Sequence, residues 1–143
     1  MSYNYGAKLK ERMHQILKVS GLVIAAILGA GTLLFFIVPN VLLSLFNASS
    51  GMLEIGETGL RILSLSFIVS SFGVLMSGVF EALGLGKYSL IVSLLRQLLI
   101  TVPLAYILLN VMGIEGIWLS FVIAEAIASI VAYILYRKKF KTI

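Results

Sequence analysis

Four apolar blocks organise the chain: residues 19–38, 62–80, 88–110 and 117–136, with Arg96 and Glu125 the only charges inside them. A bilayer's hydrocarbon core of ~30 Å is crossed by ~20 residues of helix rising ~1.5 Å each, and every block is about that long. Lipid offers the backbone no hydrogen-bond partners, and none of the blocks alternates as a barrel strand would, which leaves the helix. The pattern predicts an all-α integral membrane protein whose four transmembrane helices form an antiparallel bundle.

The remaining residues punctuate this plan. A basic segment, 1–18, leads into the first span over 19–38; an outer loop and the beginning of helix two occupy 39–61; the second span covers 62–83. An inner turn at 84–87, a third span at 88–110, an outer turn at 111–116, a fourth span at 117–136 and a basic tail at 137–143 complete it. Pro39 stops the first helix, and the apolar stretch 41–46 after it suits the membrane interface. Helix two begins near Met52, so it is longer than the bilayer and has to tilt or protrude. Tight turns at Gly84, Gly86 and Lys87 and at Met112, Gly113 and Gly116 make consecutive helices antiparallel neighbours.

Composition strengthens the membrane reading. A hydrophobic fraction of 60% leaves too little polar surface to clothe a water-soluble core of 143 residues. The net charge of +5 does not imply nucleic acid, because the basic residues flank apolar spans instead of lining a stacking groove. Their distribution sets the orientation. Nine of the eleven Lys and Arg (Lys8, Lys10, Arg12, Lys18, Lys87, Arg137, Lys138, Lys139, Lys141) fall at one set of helix ends. Arg61 lies at the other ends with Glu54, Glu57 and Glu115, so the positive-inside rule puts both termini in the cytoplasm of a multi-pass cell-membrane protein.

Small and polar residues then distinguish the helix faces. Gly116, Ser120, Ala124, Ala128 and Ala132 repeat every four residues on helix four, and Gly21, Ala25 and Gly29 do so on helix one. Such stripes let backbones approach closely and predict packing contacts. On helix two, Ser66, Ser70, Gly73, Ser77 and Glu81 share one face; on helix three, Ser89, Ser93, Arg96, Gln97 and Thr101 do. These faces look to protein or to a water-filled cavity, making Ser66, Ser70, Ser77, Ser93, Gln97 and Thr101 candidate cavity-lining groups. Packing remains the competing role, since a hydroxyl can return to the preceding turn's carbonyl.

Arg96 and Glu125 carry the sharpest functional signal, because a charge at mid-bilayer costs at least ~2.5–3.5 kcal/mol and has to be partnered. Similar depths make a pair feasible, either as a fixed bridge between helices three and four or around a titrating carboxylate. Glu81 is the rival partner; if Arg96 prefers it, Glu125 becomes the better candidate for proton binding. Pro103 removes a backbone hydrogen bond to the Leu99 carbonyl and marks a candidate hinge in helix three. With one histidine, no Asp and no Cys, no cluster has metal-ligand spacing, and no cofactor or enzymatic chemistry is expected. Gly84-Leu85-Gly86-Lys87 lacks the spacing of a phosphate loop.

Several short motifs, in order, resemble the multidrug and toxic compound extrusion (MATE) family: Tyr3-Asn4-Tyr5-Gly6-Ala7-Lys8, Phe80-Glu81-Ala82-Leu83-Gly84-Leu85-Gly86-Lys87, Leu95-Arg96-Gln97, Val102-Pro103-Leu104-Ala105-Tyr106 and Gly113-Ile114-Glu115-Gly116-Ile117-Trp118. They cover nearly the whole chain and are similar to the last four helices of that family's second six-helix lobe. The resemblance implies a secondary antiporter expelling cationic or amphipathic drugs against inward H+ or Na+ flow. It also implies that a first lobe and preceding helices are needed as partners, so a truncated gene or expressed fragment is expected. Two departures limit the carry-over. Glu81 stands where many relatives show Gln, and residues 62–80 lack the carboxylate that some sodium-coupled relatives place there. Two other readings stay open: a small four-helix transporter working as a dimer, and a membrane scaffold or assembly subunit that transports nothing.

Overall fold

The computed structural model describes residues 1–140, so Lys141 and the end of the expected basic tail lie outside the described residues. Its elements are α1 (Ser2–Gly6), α2 (Lys10–Ile37), α3 (Pro39–Ser44), α4 (Ser50–Ala82), α5 (Gly86–Leu94), a π-helical turn (Leu95–Ile100), α6 (Thr101–Met112) and α7 (Ile114–Phe140). Four stretches are long and apolar enough to cross a membrane: Lys10–Ile37, Ser50–Ala82, Gly86–Met112 and Ile114–Lys139. The protein is an all-α membrane bundle, and no strand occurs among the described residues.

The helices run further than their apolar blocks. Lys10, Arg12 and Lys18 are already helical in α2, and Arg137 to Lys139 continue α7 where a tail was expected. At 33 residues, α4 is about 50 Å long and outreaches the hydrocarbon core. Pro39 both ends α2 and, having no N–H to lose, starts α3, so much of the predicted outer loop is helical. Ser49 caps α4 by accepting from the Met52 amide at 3.5 Å. The outer turn expected over 111–116 shrinks to Gly113, whose φ of 72° and ψ of −152° suit only glycine.

α4 is the central post: α2, α3, α5 and α7 pack on it, and α7 in turn packs on α6. Most large apolar side chains point outward, as expected when the surroundings are lipid, while most of the buried residues are small or polar. Without a hydrophobic force between helices in lipid, close approach supplies the attraction. The small stripe of α7 does this: Ser120, Ala124, Ala128 and Ala132 are buried, and a Cβ on Gly116 would fall on the Leu108 backbone of α6. The stripe of α2 behaves differently. Gly21 meets Leu75, but Ala25 is exposed and Gly29 faces nothing within 4 Å. Further along the same face Thr32 adds a polar α2–α4 contact, its hydroxyl shared between the Leu28 and Ser64 carbonyls at 2.9 Å each. A larger-residue core of Met76, Val79, Phe80 and Val92 closes the basic end.

Candidate functional site

The geometry of helix three decides which polar residues meet. Ser89 and Val92 of α5 are buried, and in an unbroken α-helix Thr101 would lie about 120° round the axis from Ser89. The π-helical turn inserts one residue, which takes out about 100° of that and brings Thr101 back onto the buried side. The Thr101 hydroxyl donates to the carbonyl of Arg96, five residues earlier, and stabilises the widened turn. The backbone disturbance expected at Pro103 thus takes the form of this turn just before it, with Pro103 itself inside the continuous helix α6.

Within the widened turn Arg96 reaches α7. Its Nε lies 3.5 Å from Oε1 of Glu125, with side chains 23% and 18% exposed. That separation is an ion pair more than a good hydrogen bond. The second carboxylate oxygen of Glu125, Oε2, is buried and accepts no hydrogen bond from the described residues. Beside the pair opens a cavity of about 340 Å³ lined by Arg96, Gln97, Thr101, Phe121 and Glu125. Four residues singled out in the sequence therefore converge, and the space is large enough to hydrate the free oxygen or bring a cation to it.

The other candidates lie elsewhere. Glu81 is exposed and accepts from the Ser89 hydroxyl at 2.7 Å, tying α4 to α5 across their turn; it is not the partner of Arg96. Ser66 and Ser70 do not line the cavity: both are buried, and their hydroxyls donate to the Leu63 and Phe67 carbonyls of their own helix. Gly73 lies against the Ser129 side chain, so this part of the face is a packing surface. Ser77 and Ser93 are half-buried and are also absent from the walls of the cavity.

Two polar contacts escaped the sequence reading. Ser129 donates to the Val69 carbonyl at 3.0 Å, joining α7 to α4, and Thr32 joins α2 to α4 as described. Ser129 lies off the small stripe of α7, whereas Thr32, seven residues after Ala25, lies on the small stripe of α2 as its polar member. Towards the other end, Arg61 pairs with Glu57 at 2.7 Å and sits over Phe36, while Asn40 donates to Glu57 at 3.0 Å. At the basic end Lys87 and Lys139 both stand over the Tyr88 ring, and Arg137 over Tyr133, the amphipathic arrangement that suits a membrane–water boundary.

These features define an all-helical, multi-pass membrane protein that holds an ion pair between its third and fourth spans beside a half-open polar pocket. Comparison with known proteins carries the assignment further: the chain belongs to the MatE family, which it matches over residues 1–107. It is similar to the multidrug export protein MepA of Staphylococcus saprophyticus subsp. saprophyticus, 25% identical over 135 residues, 94% of this chain and 30% of that protein. A protein of the same name from Staphylococcus aureus is 24% identical over the same shares. The fold is similar to the solved inward-facing conformation of a multidrug resistance MATE family transporter of the MOP superfamily, with a TM-score of 0.91 and 23% identity. The alignment covers 99% of this chain and 33% of that one. The chain thus spans about a third of the length of the relatives it matches.

Proposed function

We propose that this chain is a transport module of a multidrug exporter. It contributes four helices of the second lobe to a secondary antiporter that expels cationic or amphipathic compounds in exchange for H+ or Na+. The module sits in the cell membrane with both termini in the cytoplasm, the side favoured by nine of its eleven basic residues. The helices and lobe that complete the cavity come from the rest of a longer protein or from self-association. The names of its relatives as multidrug export proteins support the substrate class.

The observation that carries this reading is the Arg96–Glu125 pair with one carboxylate oxygen left free beside the cavity. A bridge with a purely structural role gains from satisfying both oxygens, since an unsatisfied buried acceptor is costly. A proton or cation arriving at Oε2 competes with Arg96 for the carboxylate and weakens the hold of the widened turn on α7. An ion that binds one arrangement better than the other shifts the equilibrium between them, which is what coupling requires. Pro103, three residues beyond the turn, is the hinge about which that rearrangement is proposed to occur.

The test is dye efflux from vesicles carrying a full-length MatE-type exporter in which this chain replaces the aligned segment. Export driven by a proton or sodium gradient, slowed in Glu125→Gln and Arg96→Gln, is the expected result. A chimera that inserts correctly and moves no dye would refute the module; one whose Glu125→Gln variant keeps the same gradient dependence would refute the coupling role.

A further inference from the structure

At the basic end the chain folds back on itself before entering the first span. Lys8 takes a left-handed conformation, φ 55°, and the Leu9 amide donates to the Asn4 carbonyl at 2.9 Å, so α1 is held against the start of α2. The Ser2 hydroxyl donates to the Ala82 carbonyl and fixes α1 to the end of α4. A cleft of about 510 Å³ results, walled by Asn4, Arg12, Gln15, Ile16, Val19 and Ser20. Arg12 forms no ion pair with any described residue, and residues 8–18 hold four basic groups against the single acid Glu11.

Beside it, an apolar crevice of about 250 Å³ runs between α2 and α4, starting from Met1 and Ala82 at the same end. Ile16 and Ser20 line both spaces, which are therefore neighbours across those two side chains, and Ile24, Val74 and Leu75 carry the apolar one towards the middle of the span. Gly78 opens its far wall: a Cβ there would meet nothing within 4 Å.

We propose that the two adjacent clefts hold one anionic phospholipid, with its phosphate at Arg12, Asn4 and Gln15 and an acyl chain passing Ile16 and Ser20 into the apolar crevice. The polar donors lie at the basic end and the apolar walls run deeper into the span, the order in which a lipid presents headgroup and tail. Arg12 lies seven residues, about 10 Å, above Val19, where the apolar block begins. The positive charge selects an acidic headgroup, since basic pockets at the end of a membrane bundle attract anionic lipids. The same charge repels a cationic amphiphile, which separates this site from the export cavity. The inference needs only the membrane-spanning fold, not the transport reading.

The experiment is native mass spectrometry of the purified, delipidated chain titrated with phosphatidylglycerol or phosphatidylcholine of identical acyl chains. Phosphatidylglycerol should be retained in preference. Arg12→Gln should lower its retention about fivefold, the equivalent of ~1 kcal/mol for one basic residue at an anionic surface, while Lys138→Gln, at the same end but off the cleft, should change little. Gly78→Leu, which fills the crevice, should also lower retention, with circular dichroism showing the helices intact. Equal retention of the two lipids, equal losses in Arg12→Gln and Lys138→Gln, or unchanged retention in Gly78→Leu would each overturn the proposal, as would displacement of the lipid by free glycerol 3-phosphate.

Discussion

Replacing Glu125 by Gln keeps the shape of the side chain and strands the charge of Arg96, and the size of that effect follows from the geometry. At 3.5 Å and an effective dielectric constant of about 20, the attraction between the two groups is about 5 kcal/mol before desolvation is counted. Desolvation of both groups, only 23% and 18% exposed, cancels much of this, so the intact pair contributes little net stability. Removing one partner is different, because the survivor keeps its desolvation penalty without compensation. Buried pairs broken in this way lose about 3–5 kcal/mol, and insertion scales charge ~2.5–3.5 kcal/mol for a lone arginine at mid-span. Glu125→Gln and Arg96→Gln are each expected to cost about 3 kcal/mol. The double variant should cost about 1–2 kcal/mol, because two neutral amides can bond to each other within the bundle. The assay is unfolding of the chain in mixed micelles by increasing dodecyl sulfate, followed by circular dichroism, for all four members of the cycle. Coupling of several kcal/mol is the expected result. Additive single effects, within about 0.5 kcal/mol, would refute the reasoning, since independent residues behave that way.

Three further predictions rest on separate contacts. A Cβ added at Gly59 would lie 2.7 Å from the Trp118 ring, so Gly59→Ala should cost about 1–3 kcal/mol by overpacking and shift the emission of that single tryptophan; an unshifted spectrum with unchanged stability would contradict the packing. Ser129→Ala removes a bond between α7 and α4 and should cost about 1 kcal/mol, whereas Ser66→Ala removes a hydroxyl that returns to its own helix and should cost under about 0.5 kcal/mol; the reverse ranking in the same unfolding assay would be wrong for this structure. Gly113→Ala forces a Cβ onto a backbone at φ 72° and ψ −152°, a region essentially reserved for glycine, and should lower stability by about 1–3 kcal/mol, so an unchanged thermal midpoint would rule out the turn as described.

The four spans were legible because lipid removes the alternatives: a 20-residue apolar stretch without strand alternation has one way to satisfy its backbone. The packing of α7 was legible for a related reason, since five small residues at fixed spacing serve little purpose unless another backbone approaches. The same device was only partly realised on α2, where Gly21 and, on the same face, Thr32 meet α4 while Ala25 is exposed and Gly29 touches nothing within 4 Å. Spacing shows that a face permits close approach, not that a neighbour within this chain takes it. Ser66 and Ser70 pose the complementary problem. Their alignment marked a polar face correctly, but whether a hydroxyl serves a cavity or its own helix depends on a side-chain torsion, which leaves no trace in periodicity.

The site itself was half legible. Charge cost and depth brought Arg96 and Glu125 together on paper and left Glu81 as rival, and the three-dimensional arrangement separates the two acids by occupation: Ser89 bonds to Glu81, while Glu125 takes the arginine. What the sequence could not reveal is the one-residue widening of the helix between Leu95 and Ile100. Pro103 hinted at disturbed backbone, yet the disturbance lies a turn earlier, where the Thr101 hydroxyl can reach the Arg96 carbonyl. Without the widening, the faces of α5 and α6 would be about 100° out of phase and could not both pack on α7. With it, Arg96 lies at the phase change itself, within reach of Glu125. The charge that has to be partnered at mid-span is thus presented to Glu125 by the same widened turn that brings Thr101 onto the buried side.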